Sequence, residues 1–286
     1  MRIQRLTNYT YVFLFVAAVF FITGCDTGTY SAEKRYWHAA KKFNRLMQNL
    51  ENATPQDYQE AIAAFREITI RYPPWTNSPK AQFYIGQLYA IQNNLPQARA
   101  EFETILNEYP TNVDICATAL FAIGIIYERQ DNWEKALEAF DKLTSDYPNA
   151  YSAFQAPLYI AQHYKNKGQA EETEAAYATA LEQYQKVIKE YPNTFIAVIA
   201  EDFALTCYIN QERWNEAVDY LDSLVRDYPD TLLAPKSLFS IGIIYQDRLN
   251  EPQKALGYYR TLIDKYPKNF LVKPAEKQIE LINKSK

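Results

Sequence analysis

The stretch that decides the fold runs from Gly86 to Pro110 and reads GQLYAIQNNLPQARAEFETILNEYP. It ends in Tyr-Pro, a dipeptide that occurs six times in the chain. Four of the five intervals between successive copies are thirty-seven or thirty-eight residues long, and the third interval is forty-four. A nearly constant period in this range is typical of a repeat array. The prolines of the six copies are Pro73, Pro110, Pro148, Pro192, Pro229 and Pro267.

Three internal positions of the repeat also keep their residue type, which indicates that the period is structural. Alanine stands twelve positions before each proline, a large apolar residue stands eight before it, and an aliphatic residue stands five before it. These offsets step by four and three, so the three positions share one face of a helix. The six sets are Ala61, Phe65 and Ile68; Ala98, Phe102 and Ile105; Ala136, Phe140 and Leu143; Ala180, Tyr184 and Val187; Ala217, Leu221 and Leu224; and Ala255, Tyr259 and Leu262.

A second apolar segment precedes this helix in each copy. Three copies carry a glycine followed three residues later by tyrosine, again on one helix face. The proline lacks an amide donor and forces the residue before it out of helical geometry, so it ends the second helix. Each repeat is therefore predicted to be a helical hairpin. The three glycine and tyrosine pairs are Gly86 and Tyr89, Gly124 and Tyr127, and Gly242 and Tyr245.

Local signals place the starts of two helices. Thr54 before Pro55 is predicted to be an N-cap followed by the first helical residue, and Ser78 before Pro79 is predicted to act in the same way.

The spacing of the small residue, the tyrosine, the alanine, the bulky residue and the proline resembles the tetratricopeptide repeat. The match is closest from Gly86 to Pro148, whereas the fourth copy has about seven extra residues near EETEAAYATA and the fifth has Leu205 where glycine is usual. The resemblance implies an all-α fold, a right-handed superhelical solenoid of about six helical hairpins. We expect this solenoid to occupy residues 35–286, with a capping helix over 271–286.

The first 25 residues have a different character. Arg2 and Arg5 precede an uncharged apolar run of twelve residues, which is too short to span a bilayer comfortably and has the length of a signal-peptide core. Ile22-Thr23-Gly24-Cys25 resembles the bacterial lipobox, which implies cleavage before Cys25 and lipidation of its sulfur. We therefore expect a signal peptide over 1–24 and a lipidated tether over 25–34. The alternatives are an uncleaved anchor or an ordinary signal with an incidental cysteine.

Charge and composition exclude several classes of function. After loss of residues 1–24 the chain would hold 28 Lys and Arg against 34 Asp and Glu, a formal charge of −6, without a basic block. Nucleic acid is therefore not an expected partner. The two histidines lie in different repeats, and there is no Cys-x-x-Cys, His-Glu-x-x-His or phosphate-binding glycine loop. The acidic pairs Glu171-Glu172 and Glu201-Asp202 are interpreted as solvated faces. We predict no catalytic residue, metal site or cofactor.

A protein partner remains, since a helical solenoid exposes a broad surface that packing does not dictate. In tetratricopeptide proteins the concave groove is lined by first-helix residues three before and one, four and five after the conserved small residue. Its apolar members would suit an extended or helical peptide, unless they pack on adjacent second helices instead. The resemblance places in this groove Phe83, Gln87, Phe121, Ile125, Glu128, Arg129, Leu158, Gln162, Lys165, Asp202, Thr206, Phe239, Ile243 and Gln246.

A lipidated start followed by such repeats resembles the BamD (YfiO-like) family of outer-membrane assembly lipoproteins. The resemblance implies binding of β-barrel assembly components or unfolded outer-membrane proteins, with the chain anchored by its lipid and facing the periplasm. Asp26 after the lipidated cysteine leaves the inner membrane open as an alternative to the outer one. The alternative families are a YbgF-like Tol-Pal coordinator and a pilotin-like lipoprotein for pilus or secretin assembly.

Overall fold

A computed structural model of the chain describes residues 28–284, which form helices and connecting turns without a strand. The predicted signal peptide and Cys25 lie outside this range. The helices within it are α1 (28–48), α2 (Pro55–Arg71), α3 (Ser78–Ile91), α4 (Leu95–Glu108), α5 (Val113–Arg129), α6 (Trp133–Asp146), α7 (Tyr151–Asn166), α8 (Ala170–Glu190), α9 (Phe195–Asn210), α10 (Trp214–Asp227), α11 (Leu233–Asp247), α12 (Pro252–Lys265) and α13 (Val272–Lys284), with a 3-10 turn at Leu50–Asn52.

The helices form two compact units that divide after Leu143. In the first unit, α2 packs on α3, α3 on α4 and α4 on α5. In the second, α7 packs on α8, α8 on α9, α10 on α11 and α11 on α12, and α13 covers α12. Contacts between consecutive helices dominate each unit, as expected for stacked hairpins. The prediction of an all-α fold built from helical hairpins is confirmed.

The predicted helix face forms the seam of each hairpin. The alanines twelve positions before the prolines are fully buried in all six copies, as are the side chains of Phe65, Phe140 and Tyr259. The small residue on the first helix allows the bulky residue to approach, because a β-carbon added at Gly86 would stand only 2.5 Å from the Phe102 ring. Gly124 and Gly242 meet the facing aromatic rings in the same way.

Tyr-Pro ends each second helix as predicted. The tyrosine is the C-cap, and in α4 the N–H of Tyr109 donates to the carbonyl of Ile105 as the last helical hydrogen bond. The following proline cannot extend that pattern. The same arrangement closes α2, α8, α10 and α12.

The predicted start of α2 is confirmed and that of α3 is off by one residue. Thr54 accepts from the N–H of Asp57, and the Asp57 carboxylate accepts from the N–H of Thr54 at 2.8 Å, which completes a capping box before Pro55. In α3, by contrast, Ser78 is the first helical residue rather than the cap. Its buried hydroxyl donates to the carbonyl of Tyr72, so it ties the helix to the preceding turn.

The tether predicted over residues 25–34 is already helical from residue 28. Ala32 is 1% exposed, and further along α1 Ala39 and Leu46 are buried against α2 and α3. The ring of Phe43 lies 4.7 Å from that of Tyr84. Buried residues seven apart keep one face of α1 on its neighbours, so this helix extends further toward the N-terminus than the polar composition indicated.

Helix α8 contains the extra residues of the fourth repeat. It has 21 residues, whereas α4, α6, α10 and α12 have 14 each. Seven residues add about two turns and rotate the helix face by only ~20°. Val187 at the predicted aliphatic position packs against the core while half-buried, and the neighbouring Ile188 is buried beside it.

Five hairpin turns share one backbone feature. The residue two positions before each second helix has a positive φ, between 53° and 71°. This conformation reverses the chain in a short turn, and only one of the five positions is glycine. The five residues are Asn93, Asp131, Gly168, Glu212 and Asn250.

Candidate protein-binding surface

The predicted groove residues of the first unit lie on α3 and α5. Phe83, Gln87, Phe121, Ile125 and Glu128 are half-buried, and Arg129 is exposed. All six are therefore reachable from solvent. A row of this kind can contact a partner only through the parts of its side chains that hairpin packing leaves uncovered.

Two aromatic rings of this row also close their own hairpins. The Phe83 ring lies 5.0 Å from that of Phe102, and the Phe121 ring lies 5.5 Å from that of Phe140. The sequence left open that apolar groove residues pack on adjacent second helices, and these two rings do pack on the second helix of their own hairpin. The bulky seam residue is wide enough to reach the edge of the first helix, so each phenylalanine is held against it on one side.

Arg129 joins two hairpins of the first unit. Its guanidinium donates to the carbonyl of Ala90 at 3.1 Å and to Oδ1 of Asn93 at 2.8 Å. Both acceptors lie where α3 ends, so Arg129 holds the end of α5 to the preceding hairpin turn. A positively charged side chain near a helix C-terminus also interacts favourably with the carbonyls there. This contact is part of the repeat stack and not available in full to a partner.

The predicted groove residues of the second unit lie on α7, α9 and α11. The half-buried ones are Leu158, Gln162, Thr206, Phe239, Ile243 and Gln246, and the exposed ones are Lys165 and Asp202. The Phe239 ring lies 5.8 Å from that of Tyr259, as in the hairpins of the first unit.

Most polar members of this second row have partners within the unit. Lys165 donates to the carbonyl of Asn210 at 2.6 Å, and Gln246 donates to Gln278 of α13 at 3.1 Å. Asp202 pairs with Lys236 at 2.7 Å. The row therefore combines a stacking role with partial exposure. The side chains of Leu158 and Ile243 stay half-exposed for recognition, as does that of Gln162, whose amide also donates to Oδ1 of Asn166 at 2.7 Å.

Sequence reasoning missed a buried ionic cluster in the first unit. The carboxylate of Glu101, 4% exposed, accepts from Arg66 of the preceding hairpin and from Gln82 and Gln97. Burial alone would raise the pKa of Glu101, but the hydrogen bonds from Arg66 and Gln97 outweigh it and hold that pKa below its usual value. The spacing of the sequence could have indicated this burial, because Glu101 follows Ala98 by three residues and so lies on the seam face.

A second cluster corrects the interpretation of Glu201-Asp202 as a solvated face. Glu201 is fully buried, whereas Asp202 is exposed. Lys236 of the next hairpin lies 2.7 Å from an oxygen of each, and Ser237 donates to Glu201 at 3.2 Å. Burial raises the pKa of Glu201, and Lys236 offsets this only in part. The sequence again contained a positional indication of this burial. Glu201 lies one helical turn before Leu205, which stands at the small-residue position of the fifth repeat, so both share one helix face.

Among residues 28–284, no three His, Cys, Asp or Glu side chains lie close enough together to hold a metal ion. Cys116 and Cys207 are buried thiols, and burial raises the pKa of Cys207 to about 12. In the same range, no helix has the length and apolar character needed to cross a membrane.

Comparison with known proteins identifies the repeat. One tetratricopeptide-repeat profile matches residues 118–150, 158–194, 206–231 and 236–269, and a second matches residues 56–113. Together they cover more than half of the chain, so the protein belongs to the tetratricopeptide-repeat family. Repeats of this family mediate protein–protein interactions, which makes the chain a protein-binding scaffold.

Solved structures of the same repeat class also match. A thermophilic TPR protein of Thermus thermophilus is 17% identical, with a TM-score of 0.38, over 70% of this chain and 98% of that one. A tetratricopeptide repeat protein from Parabacteroides merdae is 14% identical, with a TM-score of 0.38, over 88% of this chain and 92% of that one. No curated protein matches the chain.

Proposed function

We propose that this protein is a membrane-anchored, non-catalytic scaffold of the bacterial cell envelope, a BamD-like component of outer-membrane β-barrel assembly. The observation that supports the anchor is the order of Arg2 and Arg5, a short apolar run and Ile22-Thr23-Gly24-Cys25. Lipidation at Cys25 would place the repeats at a membrane surface on the periplasmic side. The outer membrane is the favoured location, and Asp26 keeps the inner membrane as the competing one.

The half-exposed side chains of the first helices support a binding role for this surface. In each unit they form a mixed row, with apolar atoms of Ile125 in the first and of Leu158 and Ile243 in the second, beside polar side chains. Such a row suits an unfolded or extended segment. The backbone of the segment can hydrogen-bond to polar side chains of the row, and its apolar side chains can contact the apolar side chains of the row. Segments of unfolded outer-membrane proteins and assembly components both have this chemistry.

Site-specific photo-crosslinking in cells tests the proposal. A photoreactive phenylalanine analogue is placed at Gln87 or at Gln162, both half-buried in the predicted row, and the products are identified by mass spectrometry. We expect a crosslink to a β-barrel assembly protein or to an outer-membrane protein precursor. The matched control is Glu138, an exposed position of α6 outside the row, which should give neither product.

Two results would contradict this interpretation. Equal crosslinking from Glu138 would show that the row is the wrong surface. Recovery of Tol-Pal or of pilus or secretin components at Gln87 and Gln162, without any barrel-assembly protein, would replace the BamD-like role by the YbgF-like or pilotin-like one.

A further inference from the structure

One side of α1 carries two large aromatic side chains that the fold leaves uncovered. Tyr30 is 67% exposed and Trp37 is 58% exposed. They lie seven residues apart and therefore on the same side of the helix. The buried residues Ala39 and Leu46 lie on the opposite side, against α2 and α3. Packing within the first unit thus gives no reason for the two exposed rings.

Basic residues share this side of α1 with the two rings. Lys34 follows Tyr30 by four residues, Lys41 follows Trp37 by four, and Arg45 follows Lys41 by four. Residues at these spacings lie within a narrow arc of a helix. All three cations are exposed, and the ammonium of Lys41 lies 5.2 Å from the centre of the Trp37 ring. Together these five residues form what we call the basic aromatic face of α1.

The charge of α1 is opposite in sign to that of the whole chain. Residues 28–48 hold five Lys and Arg against one acidic residue, whereas the whole chain has 30 Lys and Arg against 34 Asp and Glu. The two basic residues of α1 outside the basic aromatic face are paired with α2, Arg35 with Glu67 and Lys42 with Glu60. The cations of the basic aromatic face are directed to solvent instead, so charge complementarity favours an anionic partner there.

The basic aromatic face begins close to the proposed lipid anchor. Gly28, the first residue of α1, follows Cys25 by three residues, and three residues span at most about 11 Å when fully extended. From Tyr30 to Arg45 the face then covers about 22 Å of helix. A lipid on Cys25 would therefore hold the start of this face at the bilayer, and the rest of the face reaches the bilayer when α1 lies along its surface.

We propose that the basic aromatic face of α1 lies on the membrane surface, with its two aromatic rings at the level of the lipid headgroups and its three cations against anionic phospholipid. Tyr and Trp are enriched at this level of a bilayer, because one part of each ring system is apolar and another is polar. Lysine and arginine are attracted by the negative potential of anionic lipid. An acidic protein would also attract the cations, but it would not account for two exposed rings beside a lipid anchor.

This contact orients the anchored chain and does not replace the anchor. Membrane binding by an amphipathic helix increases with the apolar area that it buries, and here that area is limited to two rings. The face is therefore too small to hold the protein on the bilayer alone, so Cys25→Ser should still release it. In the anchored protein the lipid keeps α1 near the surface, and the face then needs only to select one orientation.

Photo-crosslinking to lipid tests the inference, which rests on the proposed lipid anchor. A photoreactive phenylalanine analogue replaces Tyr30 or Trp37 in the full chain, which is reconstituted into vesicles of equal parts phosphatidylcholine and phosphatidylglycerol. The mass before irradiation reports lipidation at Cys25, and the mass after irradiation reports addition of a phospholipid. The control position is Val113 at the start of α5, an apolar residue of the same unit that is 52% exposed.

We expect phospholipid adducts at Tyr30 and Trp37 and none at Val113. Each lysine near an anionic surface contributes about fivefold, so Lys34→Gln with Lys41→Gln should lower the ratio of contacting to non-contacting orientations about twenty-five-fold. The adduct yield from Trp37 should fall accordingly, and it should also fall in vesicles of phosphatidylcholine alone.

A second pair of lysines provides the matched control for charge. Lys80 of α3 and Lys142 of α6 are both exposed and lie outside α1. Lys80→Gln with Lys142→Gln removes the same charge from the chain and should leave the adduct yield from Trp37 unchanged. Equal yields from the two double variants would contradict a contact with anionic lipid and overturn the inference.

The two mass measurements separate this inference from the proposed anchor. A lipidated chain without adducts at Tyr30 and Trp37, or with as much adduct at Val113, would overturn the inference and leave the anchor intact. An unmodified Cys25 without adducts would overturn both, and an unmodified Cys25 with adducts at the two aromatic positions would overturn the anchor alone. Irradiation in cells that gives protein adducts in place of phospholipid at both positions would show that the face binds a protein instead.

Discussion

Single residues with unusual backbone geometry set the hairpin turns. Gly168 has a φ of 71° in the turn between α7 and α8, whereas Gly257 is an ordinary helical residue of α12. A β-carbon would meet no atom within 4 Å at either position. The two glycines therefore differ in backbone conformation and not in the space around them.

The same substitution should have opposite effects at these two glycines. Gly168→Ala puts a β-carbon into the left-handed region, which costs about 1 kcal/mol. Gly257→Ala removes a flexible residue from an exposed helix interior and should stabilise by about 0.5–1 kcal/mol. Urea unfolding of the two variants measures both changes. Two changes of equal sign would show that backbone conformation does not govern these positions.

The two buried carboxylates should respond to pH in opposite directions. Glu101 has a lowered pKa, so its contribution to stability is present above its usual value of 4.5 and is lost as the pH falls. Glu101→Gln should therefore destabilise by about 2 kcal/mol near neutral pH, and the difference from the wild type should shrink in acid. Thermal melts from about pH 3.5 to about pH 8, a range that includes the titration of carboxyl groups, measure this difference in stability.

Glu201 provides the matched comparison. Its pKa is raised, so the folded state holds the proton more tightly than the unfolded chain and the wild type loses stability as the pH rises through that pKa. Glu201→Gln has no such loss, so its stability relative to the wild type should improve from acid to neutral pH. A parallel pH profile for the two variants would contradict the assigned environments.

At the scale of the helix, each seam depends on one small and one large residue. Ala136 and Phe140 of α6 are both fully buried, and the Phe140 ring also packs on Phe121 and fills the space over Gly124. Phe140→Ala should cost about 3–5 kcal/mol because it leaves a cavity, and Ala136→Leu about 1–3 kcal/mol because it overfills the seam. The exposed control Glu138→Ala should change stability by less than about 0.5 kcal/mol in the same denaturation series.

Period and helix face could be predicted because they depend on local chemistry. Tyr-Pro ends a helix wherever it occurs, and residues spaced by four and three share a face regardless of the fold around them. The start of α1 could not be predicted in this way, because its polar first turns are ordered by packing of Ala32. The burial of Ile188 next to Val187 could not be predicted either, because the spacing assigns one aliphatic position and does not show how far neighbouring helices cover the residue after it.

The exposure of the candidate row was predictable from the repeat register, but the contacts that its residues make were not. Its residues lie where the repeat register places them, half-buried or exposed. The contacts of Arg129 with Ala90 and Asn93, and the burial of Glu201 under Lys236, join residues at least 35 positions apart. A sequence without coordinates does not specify such pairings, because each depends on how far one hairpin is displaced along the next.

At the scale of the whole molecule, the proposed attachment to a membrane has the sharpest single test. A diacylglyceryl group with an added acyl chain binds a bilayer far more strongly than one chain, whose affinity is marginal. Cys25→Ser should therefore move the protein from the membrane fraction to the soluble fraction, and the mass of the wild-type mature chain should show a lipidated Cys25. A wild-type mass that retains residues 1–24, or an unmodified Cys25, would exclude the lipoprotein assignment.

The extra two turns of α8 restrict how the length of this helix can vary. Removal of residues 173–179 would bring Ala180 three residues after Ala170, the first residue of α8, which is the distance between the helix start and the alanine in α4, α6, α10 and α12. Removal of five residues would instead rotate the rest of the helix by about 140° and turn its buried face to solvent. Length changes in this helix are therefore admissible only in steps close to whole turns, so natural relatives should differ here by seven residues or by three or four, and not by two or five.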